Sequence, residues 1–135
     1  MKTWSQHIVL PVVALLVWGC SDDGTTLTDP ETPPTVTYSS DIQPLFTSRC
    51  VGCHGLNGSG DLDLRADLSY ANLVNVVSPT YTAVRVIPLD PDNSVLFDKI
   101  SGGTTFGSRM PPGGVLSADD VAMVRTWISE GALDN

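Results

Sequence analysis

Hydrophobic residues are distributed differently in three parts of this 135-residue chain. Residues 8–18 form an apolar run of 11 residues. Residues 21–37 are rich in Thr, Asp and Pro and contain few large apolar side chains, so they cannot bury enough surface to fold. Beyond that stretch, apolar residues recur at the spacing of amphipathic helices. The pattern predicts a targeting segment, a tether and one small helical domain over residues 38–135.

The first predicted helix begins at Asp41, a residue type that commonly caps helix N-termini. Pro44 then falls in the first turn, where its missing N–H is not needed. The apolar residues at helical spacing on one face are Ile42, Leu45, Phe46 and Cys50. A weaker second helix is predicted near residues 69–75. Residues 76–88 are rich in β-branched residues and proline, which predicts irregular or short extended structure.

The third and fourth predicted helices have clearer ends. We expect Asp90 to cap the third helix, and the glycine pair at 102–103 to end it. The fourth begins at Ser117, in a sequence that resembles a capping box, and ends before a glycine. Because the first and last helices both have strong apolar faces, we expect them to pack together, with Phe46 against Trp127.

The sequence Cys50-Val51-Gly52-Cys53-His54 carries the most specific chemistry in the chain. Two thiols three residues apart, followed directly by a histidine, form the attachment site of a covalently bound haem. Residues i, i+3 and i+4 share one face of a helical turn. Both sulfurs can therefore form thioethers with the haem vinyls while the His54 imidazole lies under the iron.

A Cys-x-x-Cys pair can also form half of a zinc site. Zinc would need further thiolate or imidazole ligands, and the chain has only three cysteines and two histidines. Cys20 and His7 lie in the N-terminal part, so neither is available to the predicted domain. We therefore predict one haem c per chain, and no disulfide.

The N-terminus has the features of an exported protein. The apolar run is too short to span a hydrocarbon core of ~30 Å, but it suits the h-region of a signal peptide. The following residues Val17-Trp18-Gly19-Cys20 resemble the bacterial lipoprotein box, which implies cleavage before Cys20 and lipid attachment to it. The alternative is an ordinary signal peptide with an unpaired Cys20. We therefore predict a signal peptide over residues 1–19, and a lipidated cysteine with a disordered tether over residues 20–37. The lipid would anchor the protein to a membrane of the bacterial cell envelope, on the periplasmic side or at the cell surface.

The sixth ligand of the haem iron must come from a short set of candidates. His7 leaves with the signal peptide, so His54 is the only imidazole in the mature chain. The remaining possibilities are Met110, Met123, Lys99 or an open site that holds water. Met110 precedes two prolines and two glycines, a stiff loop suited to presenting a thioether. Met123 lies in the middle of a predicted helix, where a core-filling role is expected, so we predict Met110.

These features resemble the small monohaem class I cytochromes c of bacteria. The resemblance rests on Phe46 before the haem motif, the motif itself, the Met110-Pro111-Pro112 loop and an aromatic residue in the last helix. It covers nearly all of residues 38–135. It implies an all-α fold of about four helices wrapped around one covalently attached haem, with His54 and Met110 as axial ligands. The implied activity is electron transfer.

Two features of the haem environment remain open in the sequence. Many members of the family have a proline soon after the haem motif, whose carbonyl holds the histidine; here none occurs between His54 and Pro79. A backbone carbonyl within residues 55–64 is the expected substitute. Arg85 and Arg109 are candidates to pair with the haem propionates, and Arg109 is the better one because it adjoins Met110.

The charge of the chain limits its partners. The sequence contains 7 Lys and Arg against 15 Asp and Glu, a formal net charge of −8. Removing residues 1–19 takes away Lys2 and no acidic residue, which leaves 6 basic against 15 acidic residues and a charge of −9. Nucleic acid and anionic lipid headgroups are poor partners for that surface. We expect redox partner proteins with basic docking surfaces, and no small-molecule substrate.

Two other functions are compatible with the same haem motif. A haem enzyme or gas sensor would keep the sixth position of the iron open. The mature chain has no distal histidine, which disfavours peroxidase-type proton transfer. The electron-entry subunit of a larger redox enzyme would use the same domain as a free carrier.

Replacement of the predicted lipidation site should release the protein from the membrane. Each buried CH₂ of an acyl chain contributes about 0.8 kcal/mol to membrane binding. Cys20→Ala is therefore expected to fractionate as soluble protein that still carries haem, as measured by haem stain after ultracentrifugation. Membrane fractionation identical to wild type would contradict a lipid anchor at Cys20.

Overall fold

The computed structural model describes residues 34–135, and the regular structure in that part of the chain is helical. The helices are α1 (Gln43–Arg49), α2 (Ser69–Leu73), α3 (Val95–Ser101) and α4 (Ala118–Ser129). Residues 76–88 are irregular, as predicted, with isolated bridges such as Val77 to Val84, and the described residues form no sheet. The predicted all-α fold is confirmed. None of the helices described is long and apolar enough to cross a membrane.

The predicted signal peptide, Cys20 and most of the predicted tether lie outside the described residues.

The first helical segment begins earlier than the sequence predicts. A π-type turn, Tyr38–Ile42, precedes α1, and Thr37 is its N-cap. Asp41 lies inside this turn, where its Oδ2 accepts a hydrogen bond of 2.8 Å from the Thr37 backbone N–H. The prediction of Asp41 as N-cap is therefore wrong, although its carboxylate still satisfies a free N–H at the helix start. Pro44 has no N–H, so it cannot donate the i to i−4 hydrogen bond that would continue an α-helix toward the N-terminus. This fits the π-type turn that precedes α1.

The start of α3 also differs from the prediction. Asp90 caps a separate turn, in which its carboxylate accepts from the Asn93 N–H and side-chain amide. Ser94 is the N-cap of α3, and its hydroxyl bridges the Asp90 carbonyl and the Ile87 N–H. The Asp-Pro-Asp-Asn sequence thus forms a turn before the helix can begin. The helix ends as predicted at Gly102, whose φ of +89° favours glycine.

Helix α4 has the predicted start. The Ser117 Oγ accepts a hydrogen bond of 3.0 Å from the Asp120 N–H, which confirms the N-cap. Tyr38 joins this helix to α1, since its ring centroid lies 5.2 Å from that of Trp127 and 6.4 Å from that of Phe46. The first and last helical segments therefore share one core, in which the Tyr38 ring lies beside both Phe46 and Trp127.

A carboxylate at the end of α4 holds the start of the domain. Glu130 accepts hydrogen bonds from the backbone N–H of Thr35, the Thr35 hydroxyl and the backbone N–H of Val36. These donors, the Thr35 hydroxyl foremost, lower the pKa of Glu130. Nearby, the Asn135 side chain and carbonyl accept from the N–H groups of Tyr38 and Ser39. Both ends of the domain are therefore fixed at the same place.

The Glu130 contact should make stability depend on pH. Because the folded-state pKa lies below the unfolded value of about 4.3, its contribution is fully present above that value and is lost as pH falls through the folded pKa. We expect Glu130→Gln to be less stable than wild type at pH 7, with the difference shrinking below about pH 4. Denaturant unfolding at several pH values measures this. The control is Asp67→Asn, an exposed acid elsewhere; an equal pH dependence in both variants would contradict the assignment.

Candidate haem site

The described part of the chain contains an apolar cavity of about 320 Å³ beside α3. Six aliphatic side chains form most of its wall: Leu62, Leu64, Leu73, Val95, Leu96 and Ile100. Cys50, His54 and Met110 also line it. The structure thus brings together residues of the haem motif and the methionine that the sequence predicts as its partner.

The haem motif forms the expected turn directly after α1. The N–H groups of Cys53 and His54 both donate to the Cys50 carbonyl, at 3.0 and 2.8 Å. Cys50 is half-buried at the cavity, whereas Cys53 is exposed. Burial raises the pKa of the Cys50 thiol to about 11. The turn therefore places the two thiols and the imidazole within one short, hydrogen-bonded loop.

The carbonyl of Ser59 holds the imidazole of His54. It lies 2.9 Å from Nδ1, within the stretch of residues 55–64 where the sequence requires such a group but does not identify it. A proton on Nδ1 leaves the Nε2 lone pair free to act as a metal ligand. Gly58 permits the tight path, because a Cβ there would lie 2.7 Å from the Leu62 carbonyl oxygen. The loop thus supplies the backbone carbonyl that the sequence analysis expects within residues 55–64.

Met110 lies in the loop between α3 and α4, residues 102–117, here called the Met110 loop. The last turn of α3 holds this loop in place. The Met110 backbone N–H donates to the Lys99 carbonyl at 2.8 Å. The Asp98 carboxylate accepts from the Phe106 N–H at 3.1 Å, and the Asp98 carbonyl accepts from the Gly103 N–H at 2.9 Å. The rival Met123 packs partly buried against the hydrophobic core and is not among the residues that line the cavity. Of these two methionines, Met110 is therefore the one that lies at the cavity.

Two buried cations also face the cavity. Arg85 is 6% exposed, and its guanidinium donates to the carbonyls of Asn72, Gly60 and Asp61. Lys99 is 8% exposed, and its Nζ donates to the Tyr81 hydroxyl and the Phe106 carbonyl. Within residues 34–135, neither forms a salt bridge with a carboxylate. Burial lowers the pKa of Arg85, because desolvation disfavours its charged form.

Arg109 lies apart from the cavity. It is exposed, and its Nε donates to the Ile100 carbonyl at 3.2 Å. With Phe97 and Arg125 it lines a second, outer groove. Arg109 and Met110 are neighbours in sequence, but the cavity receives only the methionine. The structure therefore does not bring Arg109 together with the other predicted site residues, and sequence analysis missed Lys99 as a buried cation.

The cavity suits the group that the motif implies. A haem c needs two thiols, an imidazole, an apolar enclosure for its flat ring and compensation for two carboxylates. The cavity residues supply thiol, imidazole, aliphatic walls and two buried cations that lack carboxylate partners in the described residues. Among the described residues, no three His, Cys, Asp or Glu side chains cluster as a metal-binding group of their own. The site defines a domain that binds a c-type haem.

Comparison with known proteins places the chain in a family. The cytochrome c family profile matches residues 39–132, which is most of the chain, so the protein belongs to the cytochrome c family. Membership implies a covalently bound c-type haem and points to electron transfer. No curated protein matches the chain.

Among solved structures, the chain is similar to the hydrazine synthase of Kuenenia stuttgartiensis, with 20% sequence identity and a TM-score of 0.48. The match covers 72% of this chain and 16% of that one, so the chain spans about a sixth of that protein chain. The similarity is too distant to bear on activity.

The packing of Gly103 provides a test of the Met110 loop. A Cβ at this position would overlap the Asp98 carboxylate, which is held by the Phe106 N–H. Gly103→Ala should therefore displace the carboxylate, cost about 1–3 kcal/mol of stability and loosen the loop. The loosened loop should let added cyanide bind the haem more readily, as measured by optical titration.

Gly114→Ala is the matched control in the same loop, since a Cβ there would meet only Pro111 Cγ at an ordinary 3.6 Å. It should leave stability and cyanide binding close to wild type. Equal behaviour of the two variants would show that Asp98 does not hold the loop.

Proposed function

We propose that this protein is a single-haem electron carrier in which Cys50 and Cys53 attach the haem and His54 and Met110 are the axial ligands. The observation that supports this most directly is that His54 and Met110, 56 positions apart in the sequence, line the same apolar cavity. The haem, when bound, supplies one-electron chemistry at its iron. The residues of the chain must hold it without rearranging between the two oxidation states.

Each proposed ligand has support from a neighbouring backbone group. The Ser59 carbonyl orients His54 and increases the basicity of its imidazole. The Lys99 carbonyl holds the Met110 backbone, so the thioether is presented by a fixed loop. A thioether is a soft ligand that favours the reduced iron and raises the reduction potential. The aliphatic wall of the cavity excludes water from the same space.

Arg85 and Lys99 are the proposed counter-charges for the haem propionates. Burying an unpaired cation is costly, and these two have only neutral hydrogen-bond partners among the described residues. A ligand with two carboxylates would supply the missing negative charge. This proposal replaces the sequence-based preference for Arg109, which lies on the outer surface.

We also propose that the protein works in the bacterial cell envelope. The support is the lipoprotein-like sequence ending at Cys20 and the polar tether that follows it. The proposed anchor places the domain on the periplasmic side of a membrane or at the cell surface. The excess of acidic residues supports redox partners with basic docking surfaces.

Substitution of the two methionines separates the carrier from an open-site enzyme or sensor. Met110→Ala should abolish the near-infrared band of sulfur-to-iron ligation, lower the reduction potential and admit carbon monoxide. Met123→Ala should keep the band and lower stability by about 2–4 kcal/mol, because its side chain packs against the core. Optical spectroscopy in both oxidation states measures these effects. A high-spin wild-type protein that binds carbon monoxide readily would contradict the carrier, and loss of the band in Met123→Ala alone would contradict Met110.

A further inference from the structure

A buried chain of hydrogen bonds runs from Tyr38 through Ser69 to Gln43. These residues are 4%, 0% and 9% exposed. The Ser69 Oγ donates to Gln43 Oε1, so the Tyr38 hydroxyl, 2.6 Å from Ser69 Oγ, must be the donor to Ser69. Tyr38 therefore donates to Ser69, and Ser69 donates to Gln43.

The other end of the Gln43 amide reaches the loop that carries His54. Its Nε2 donates to the Leu64 carbonyl at 3.1 Å and to the Thr47 hydroxyl at 3.2 Å. Leu64 is 2% exposed, and its own N–H donates to the His54 carbonyl at 2.7 Å. Leu64 thus closes the loop that begins at His54, and Gln43 holds Leu64.

This loop needs an anchor from outside itself. Three of its residues are glycines, Gly55, Gly58 and Gly60, and glycine has the largest backbone freedom to lose on ordering. The loop also contains Ser59, whose carbonyl must stay within hydrogen-bond distance of His54 Nδ1. Arg85 holds the middle of the loop through the Gly60 and Asp61 carbonyls, and Leu64 fixes its far end. The position of the Ser59 carbonyl depends on both attachments.

We propose that Gln43 is a positioning residue for His54: through Leu64 it fixes the loop that keeps the Ser59 carbonyl on the imidazole. The proposal rests on the proposed role of His54 as an iron ligand. Loss of Gln43 would leave the buried Leu64 carbonyl without its side-chain donor, and the loop would shift to reach another partner. The imidazole would then lose part of its hydrogen bond to Ser59 and become a weaker base, which disfavours the oxidised iron and raises the reduction potential.

Gln43→Leu tests this proposal, with Tyr38→Phe as the matched control. Both variants remove one partner of the same buried network, but Tyr38→Phe leaves the contact between Gln43 and Leu64 in place. In Gln43→Leu, the Leu64 amide should exchange with solvent about tenfold faster than in Tyr38→Phe, since its local opening is easier. The reduction potential should rise in Gln43→Leu and match wild type in Tyr38→Phe. If Gln43→Leu does not fold, Gln43→Met keeps the side-chain length and serves as the second variant.

Equal potentials and equal Leu64 exchange in the two variants would overturn the proposal, because Gln43 would then be only another buried polar residue. Failure of the proposed function would look different. If wild type and both variants are high-spin and bind carbon monoxide readily, the proposed Met110 ligand is wrong, whereas a difference in Leu64 exchange between Gln43→Leu and Tyr38→Phe would still show that Gln43 holds the loop.

Discussion

The cavity between the haem-motif turn and the Met110 loop is the constraint on which the rest of the structure depends. Helices α1 and α3 present these two parts, and each is only 7 residues long. Helices below about 12–15 residues are marginal in water by themselves, so their order depends on what they pack against. A small domain without disulfides among its described residues has few other sources of stability. We therefore expect the covalent haem to stabilise the fold as well as to carry the electron.

The chain carries an excess of negative charge overall, but the charged side chains buried beside the cavity are positive. The chain has a formal charge of −8, yet two of its seven cations are buried beside the cavity. Burial of Arg85 and Lys99 is costly in an empty site and favourable beside a ligand with two carboxylates. The same cations would oppose a further positive charge and so favour the reduced iron, in the same direction as a methionine ligand. The acidic exterior remains available for partner recognition.

Sequence motifs correctly predicted the turns and caps whose hydrogen bonds join residues close together in the sequence. The haem-motif turn and the Ser117 cap are settled by contacts within a few positions, and both were predictable. The predictions at Asp41 and Asp90 failed because a suitable capping side chain served a neighbouring turn instead. The Ser59 carbonyl could not be identified in advance, because its contact with His54 depends on a loop that Gln43 and Arg85 hold from distant parts of the sequence. Arg109 illustrates the remaining limit: Arg109 and Met110 are adjacent in sequence but line different cavities, so adjacency to Met110 did not place Arg109 beside the haem-motif residues.

The central claim is that the protein carries one haem bound through two thioethers, and intact-mass spectrometry under denaturing conditions tests it most directly. The purified protein, expressed with the machinery for haem attachment, should show the mass of one haem added to each chain after acid–acetone extraction. Cys50 and Cys53 should also resist alkylation, because their sulfurs are already bonded. Release of the haem on extraction, together with alkylation of both cysteines, would contradict the account.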